Sequence, residues 1–528
     1  MAVLEVRDLE FTYSGAEMPT LRGISFDLAE GESLLLCGPV GCGKSTLISC
    51  LLPDGNSRGV IGGKVEFHGT SVGYVSQSSR VSVTDRVFSE LAFPLENLGL
   101  PSGAVLRRVS ELAAALGIER LLERKINTLS GGEQRLVALG AALITRPELL
   151  LLDEPASQLD PITAAGFYDS LLRIARDNGI SMIICEHRTE EVISACDRVM
   201  VMRGGSIFCL EPPCALHDAL KDSELRGFLP ISARLAAASG EVEKLPLSVS
   251  EGRAFLREKL KTPHPCVKNR EIDAPSLGEE ALSMRDIYYA HAKGEPDVLR
   301  GLDLSVRAGE GVCILGGNGS GKSTALMLAA GLRRPFAGKC RVFGKNIKDY
   351  RASSLWDGCV ALVPQNVRAL FVHDTVEEEL EGNDPKELLG IDLSPIYRLH
   401  PYDISGGEAR LLGIALALAA KPRILLLDEP TDGVDPQNRA RLGEVLRHLK
   451  ASGVAILAVT HDPELAPLFA DRCALLSAGR IVAESPTHEF FSGGDYYATT
   501  AARIARGIAD GAVTESELAE LIRGAGCE

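Results

Sequence analysis

The sequence predicts two tandem α/β domains, each with a mainly parallel core sheet flanked by helices. Three observations predict this. The pattern GxxxxGK[ST] occurs twice, as Gly38-Pro39-Val40-Gly41-Cys42-Gly43-Lys44-Ser45-Thr46 and as Gly316-Gly317-Asn318-Gly319-Ser320-Gly321-Lys322-Ser323-Thr324, each directly after an apolar, strand-like run. Continuous apolar runs end in Asp153-Glu154-Pro155 and Asp428-Glu429-Pro430, as parallel strands covered on both faces do. The block from Asp8 to Lys44 returns without a gap from Asp286 to Lys322, at an offset of 278 (286−8 and 322−44), which marks an internal duplication.

A chain of 528 residues exceeds a single core, and the repeat selects two domains. Hydrophobic content of 45% with 24% charged residues describes an ordinary globular protein. The 56 Lys and Arg against 71 Asp and Glu give a net charge of −15, which opposes attraction to a phosphate backbone, so nucleic acid is not an expected partner. Thirteen cysteines are scattered without CxxC pairs, and Cys37, Cys185 and Cys313 lie inside apolar runs. They read as small core residues in a reducing compartment, not as zinc ligands. The acidic start of the chain lacks the long apolar stretch of a signal peptide, and no run approaches bilayer length. A membrane role is expected to come through a partner.

In chain order, residues 6–11 alternate as a strand and residues 21–28 as another; residues 284–289 and 299–306 repeat both. Tyr13 stands just upstream of the first glycine-rich loop, where a flat ring can stack on a base. The same offset gives His291, with Tyr289 two residues earlier; packing is the competing reading for a strand-end ring. In each glycine-rich loop, backbone N–H groups curl around phosphates and the next helix presents its positive end. Lys44 and Lys322 then reach the terminal phosphates, and Ser45 and Ser323 offer an oxygen to Mg²⁺.

Further on, short strands end on Gln77 and Gln365, each followed by a helix-like segment, at 85–94 and 374–380. Leu129-Ser130-Gly131-Gly132-Glu133-Gln134-Arg135 and Ile404-Ser405-Gly406-Gly407-Glu408-Ala409-Arg410 each open an alanine-rich helix. Ser and two Gly at a helix start form an anion-binding nest or, standing alone, a plain cap. Asp153 and Asp428 can hold Mg²⁺ through water, while Glu154 and Glu429 can accept a proton from an attacking water. One more strand in each half ends on a histidine, His187 and His461, suited to bonding a γ-phosphate or that water.

Phosphate loop, glutamine, SGGE signature, Asp-Glu-Pro and histidine, in that order and twice, resemble the ATP-binding cassette ATPases over nearly the whole chain. The resemblance implies ATP and Mg²⁺ as ligands, with Gln77 and Gln365 serving both the metal and the water. It also implies a β subdomain and a helical signature subdomain on each core. Two such cassettes face head to tail in that family, so one chain is expected to build both sites: Lys44 with Ser405 and Gly407, Lys322 with Ser130 and Gly132.

Residues 88–100 and His400-Pro401-Tyr402-Asp403, leading into the second signature, resemble the ATPases of energy-coupling factor importers, including those for cobalt and nickel. That likeness implies a transmembrane coupling protein, a substrate-binding membrane subunit for a vitamin or metal ion, and a peripheral place on the cytoplasmic face of the cell membrane. Each half closes with an [ST]xxE capping box, Ser248 to Glu251 and Thr514 to Glu517, opening a short amphipathic helix. The expected domains are 1–262 and 281–528, each a cassette with a small C-terminal extension, joined by a polar, proline-punctuated linker at 263–280.

The chain departs from the family pattern at Ala409, Ile404, His291 and Ala156. None of these removes a phosphate ligand or a catalytic acid. A sugar importer with fused cassettes is a rival told apart by its membrane partner. A ribosome-associated double cassette wants a long basic linker that this acidic chain lacks, and a DNA-repair cassette wants zinc cysteines.

Overall fold

The computed structural model describes residues 2–525 apart from 17, 56–57, 78–81, 158, 241–244, 261–277, 293 and 495–496. The chain divides into two compact units, Met1–Pro230 and Ile231–Glu528. In the first, Ser33–Cys37, Leu149–Asp153 and Ser181–Cys185 are buried at every position, as their unbroken apolar character requires of strands covered on both faces. They form the middle of a six-stranded sheet ordered Val72–Val75, Leu149–Asp153, Ser181–Cys185, Ser33–Cys37, Arg198–Arg203, Ser206–Glu211. All neighbours are parallel except the last pair. Their carboxyl ends therefore share one edge, the edge where open α/β sheets bind ligands. There the chain enters the phosphate loop after Cys37, reaches Gln77 after Val75, passes from Asp153 to Glu154, and passes from Cys185 to Glu186 and His187.

A three-stranded antiparallel sheet, Leu21–Ala29, Ala2–Tyr13, Gly59–Phe67, stands beside this core. Its first strand outruns the six residues marked by alternation. Asp8 takes a left-handed φ of 48°, and the pairing register shifts on both sides of it, so a bulge carries the ladder on to Tyr13. Gly63 makes the bulge possible: a Cβ there would lie 2.2 Å from the Asp8 carbonyl oxygen. The helical part holds Val87–Asn97, Ser102–Leu116 and Gly131–Leu143.

The second unit repeats the plan, with a six-stranded sheet ordered Val360–Val363, Ile424–Asp428, Ala455–Thr460, Gly311–Leu315, Arg472–Ser477, Arg480–Pro486. Leu299–Arg307, Glu280–Tyr289, Ala337–Val342 and Lys345–Asn346 make its antiparallel sheet. The second unit also contains the helices Ile231–Ala238 and Val249–Leu260, which share one apolar core with Thr500–Ala505 and Glu515–Ala525. Both expected N-caps are present as hydrogen bonds. The Ser248 hydroxyl accepts the Glu251 N–H at 3.2 Å, and the Thr514 hydroxyl accepts the Glu517 N–H at 3.3 Å. Short amphipathic helices cannot bury an apolar face alone, and here the extension expected at the end of the first half meets the one at the end of the second. Residues 261–277 of the expected linker lie outside the described residues, and Glu280 already begins a strand. No helix among the described residues is long and apolar enough to cross a membrane.

Candidate active site

Each phosphate loop wraps closely over the strand ends behind it. A Cβ on Gly38 would stand 2.4 Å from the Met202 carbonyl oxygen, and one on Gly316 the same distance from that of Leu476, so only glycine lets the backbone pass. Gly43 and Gly321, at φ 101° and 104°, turn the loop into the helices Lys44–Cys50 and Lys322–Ala329. Lys44 lies buried, its Nζ donating to the carbonyls of Gly38 and Pro39, both at 2.9 Å. Lys322 does the same to Gly316 and Gly317 at 2.9 and 3.1 Å. The lysine thus spans its own loop, with its charge at the loop's centre. Ser320 Oγ is buried with no hydrogen-bond partner among the described residues. A buried orphan hydroxyl in a phosphate loop fits a phosphate oxygen as its partner.

The acids sit at the tips of adjacent strands. Ser45 Oγ donates to Asp153 Oδ1 at 3.1 Å and Ser323 Oγ to Asp428 Oδ1 at 3.0 Å, so the two residues expected to share Mg²⁺ are in contact in both units. Oxygen donors of this kind suit a hard cation. Asp153 is raised to about 6 by burial and by the neighbouring Glu154 charge, against the bonds from Ser45 and Cys185. Asp428 rises equally, to about 6, by burial and by Glu429, against the Ser323 bond. Two carboxylates side by side in an apolar site repel, and a divalent cation relieves that repulsion.

Glu154 and Glu429 move the other way. Burial, the largest influence, raises each; His187, Lys44 and Gln77 around the first, and His461 and Lys322 around the second, outweigh it and bring each to about 2. Both therefore remain ionised acceptors at neutral pH. His187 Nε2 is 3.0 Å from Glu154 Oε1, whereas His461 approaches Glu429 Oε2 through Nδ1 at 2.8 Å. Gln77 Nε2 donates to Glu154 Oε2 at 2.8 Å. Gln365 does not match it: its side chain is exposed and makes no hydrogen bond among the described residues.

Motif spacing gave no role to two buried arginines. Arg135 and Arg410, five residues into each signature, donate to the backbone carbonyls at the glutamine strand ends: Arg135 to Ser76 and Gln77, Arg410 to Pro364 and Gln365 at 2.9 Å each. They lock the signature helix to the segment carrying the glutamine. The signal was their recurrence at one place in both halves.

Ser130 and Ser405 form capping boxes with Glu133 and Glu408. Their hydroxyls serve the helix start, with Gly131, Gly132, Gly406 and Gly407 as its first turn. Tyr13 bonds Thr46 Oγ1 at 3.0 Å and meets the Phe11 ring edge-on. Tyr289 and His291 repeat that edge-on pair, with Tyr289 buried in the core and His291 exposed, so His291 occupies the place of Tyr13.

The ABC transporter family profile matches residues 21–157 and 299–432. A Bacillus thuringiensis subsp. konkukian protein, named as an ABC transporter ATP-binding protein, is 36% identical over 536 residues, covering 96% of each chain. The chain belongs to the ABC transporter family. It is a double-cassette ABC ATPase, and such domains bind ATP with Mg²⁺. Another relative of this ATPase, YkoD of Bacillus subtilis, named for HMP/thiamine import, is 31% identical and covers 93% of this chain and 92% of its own. Among solved structures, an archaeal ribosome recycling factor, aABCE1, in complex with the ribosomal stalk protein aP1, aligns over 89% of both chains with a TM-score of 0.56 and 22% identity, a likeness of fold alone.

Proposed function

We propose that this ABC ATPase is the energising subunit of an importer of energy-coupling factor type. ATP binding and hydrolysis in its two cassettes would drive uptake of a vitamin or transition-metal ion through a transmembrane coupling protein and a substrate-binding membrane subunit, from the cytoplasmic face of the membrane. The observation that carries this reading is a relative named for HMP/thiamine import that aligns over 93% of this chain and 92% of its own. The segments at 88–100 and 400–407 support it. Purification of the tagged chain from its native membranes should bring down two membrane proteins of that kind, and its deletion should abolish uptake of labelled thiamine, Co²⁺ or Ni²⁺. A sugar permease in their place assigns the chain to the rival importer class; capture of ribosomes without membrane protein overturns the import reading.

At each site Glu154 or Glu429 accepts the proton of the attacking water. Asp153 with Ser45, and Asp428 with Ser323, would hold the metal, which supplies charge neutralisation to the phosphates when bound. His187 and His461 orient the reacting group. In this proposal Ser405 and Gly407 complete the Lys44 site and Ser130 and Gly132 the Lys322 site within one chain. A chain carrying both glutamate-to-glutamine changes should then stay monomeric with MgATP in light scattering across dilution. A concentration-dependent dimer would show that the sites form between chains.

A further inference from the structure

The turn that carries the catalytic histidine is built differently in the two cassettes. In the first, Glu186 precedes His187 and is buried, as is Tyr168 on the helix Pro161–Asn178. The Glu186 carboxylate accepts three donors: the Tyr168 hydroxyl, the Ala156 N–H at 3.2 Å and the His187 N–H at 3.3 Å. One side chain thus ties together the turn after Glu154, the histidine turn and the helix behind them. Its own N–H donates to Leu36 at 3.0 Å, on the strand leading to the phosphate loop.

The second cassette has neither partner. Thr460 stands before His461, and Gly443 lies where Tyr168 does, eight residues beyond the Asp cap in both helices (168−160 and 443−435). No larger residue fits there, because a Cβ on Gly443 would be 2.6 Å from the Leu468 Cβ. Here the Thr460 hydroxyl and the His461 N–H both donate to Glu429 Oε2, at 2.9 and 3.0 Å. The N–H that Glu429 receives in the second site goes to Glu186 in the first. His187 meets its acid through Nε2, and its Nδ1 is buried with no partner among the described residues.

The second site ties the corresponding elements through a different residue, Asp462, which accepts the Thr431 hydroxyl at 3.0 Å and Arg439 at 3.4 Å. We propose that Glu186, held by Tyr168, is a positioning residue of the first ATPase site, fixing His187 and the turn after Glu154. It rests on Glu154 being the acceptor of the water's proton. Moving a reacting group by about 1 Å costs on the order of 10²-fold in rate, so releasing both turns should slow cleavage at this site and leave nucleotide binding, which is carried by the phosphate loop, nearly unchanged.

Rapid-quench single turnover of MgATP on the full chain reads the two sites separately as ADP formed per chain. Glu186→Ala should slow cleavage of one of the two ATP molecules by about 10- to 100-fold, with MgATP affinity within about twofold. Tyr168→Phe should slow the same phase less. Glu186→Gln, which keeps the length and one acceptor oxygen, should return it to within about threefold of wild type; it and Tyr168→Phe carry the test if Glu186→Ala fails to fold. Glu154→Gln is the reference. If it slows one phase and neither Glu186 nor Tyr168 variants do, or if they slow both phases equally or weaken affinity in parallel, Glu186 is a packing fastener and the proposal is wrong. If Glu154→Gln leaves both phases fast, the assignment of Glu154 fails first and the role of Glu186 falls with it.

Discussion

Asp153 and Glu154 are consecutive, both buried, and pushed in opposite directions, to about 6 and about 2. Environments that separate two neighbouring carboxyls assign them different tasks: one faces the serine of the phosphate loop, the other the histidine and the glutamine. Glu186 titrates higher still. Burial first, then the nearby Glu154 charge, raises it from 4.5 to about 7 against its bond from Tyr168. The folded protein therefore keeps a proton that the unfolded chain releases, so stability falls as pH rises from about 4.5 to about 7. The shift amounts to roughly 3 kcal/mol. Urea unfolding of wild type and Glu186→Gln across pH 5 to 8 should show the wild type losing stability relative to the variant by about that order; parallel curves would contradict it. We propose that His291, which occupies the place of Tyr13, stacks on the base; His291→Tyr should then tighten ATP binding by a few fold and His291→Ala weaken it, since an aromatic face is worth about 1 kcal/mol. Equal nucleotide affinity for all three by fluorescence titration would remove His291 from the site.

At the scale of elements, the loops, acids and histidines were legible because each is a short pattern whose chemistry is local and whose order repeats. What escaped the sequence depends on partners far along the chain. Arg135 has no reason in its own helix; its reason is two carbonyls near residue 76. Tyr168 and Glu186 are 18 residues apart and meet only because a helix packs on the strand that ends at Cys185. Gln77 and Gln365 look equivalent as strand ends, yet only Gln77 is drawn to its acid. Replacing Arg410 by Met should leave three carbonyls short of a donor, those of Pro364, Gln365 and Asp428, and destabilise the chain by about 3 kcal/mol or more. A thermal shift no larger than that of a surface substitution would contradict this. The capping boxes were visible as [ST]xxE, and Ser248→Ala and Thr514→Ala should each cost about 1 kcal/mol. That the capped helices meet was not visible: Val249–Leu260 and Glu515–Ala525 come from the ends of different halves and share one core.

For the whole molecule, the duplication placed the proposed nucleotide-binding residues twice on one chain, and the family assignment makes that chain a double-cassette ATPase. The two sets agree in the phosphate loop and in the serine–aspartate contact proposed to hold the metal. They diverge around the histidine turn, where donors and acceptors are exchanged between Glu186 and Thr460. We propose that Glu154 and Glu429 carry hydrolysis, and steady-state MgATP turnover of the purified full chain tests this. The Glu154→Gln, Glu429→Gln double variant should bind ATP as wild type does and lose turnover by about 10²- to 10⁴-fold. Turnover near the wild-type rate with binding intact would remove both glutamates from the role of general base.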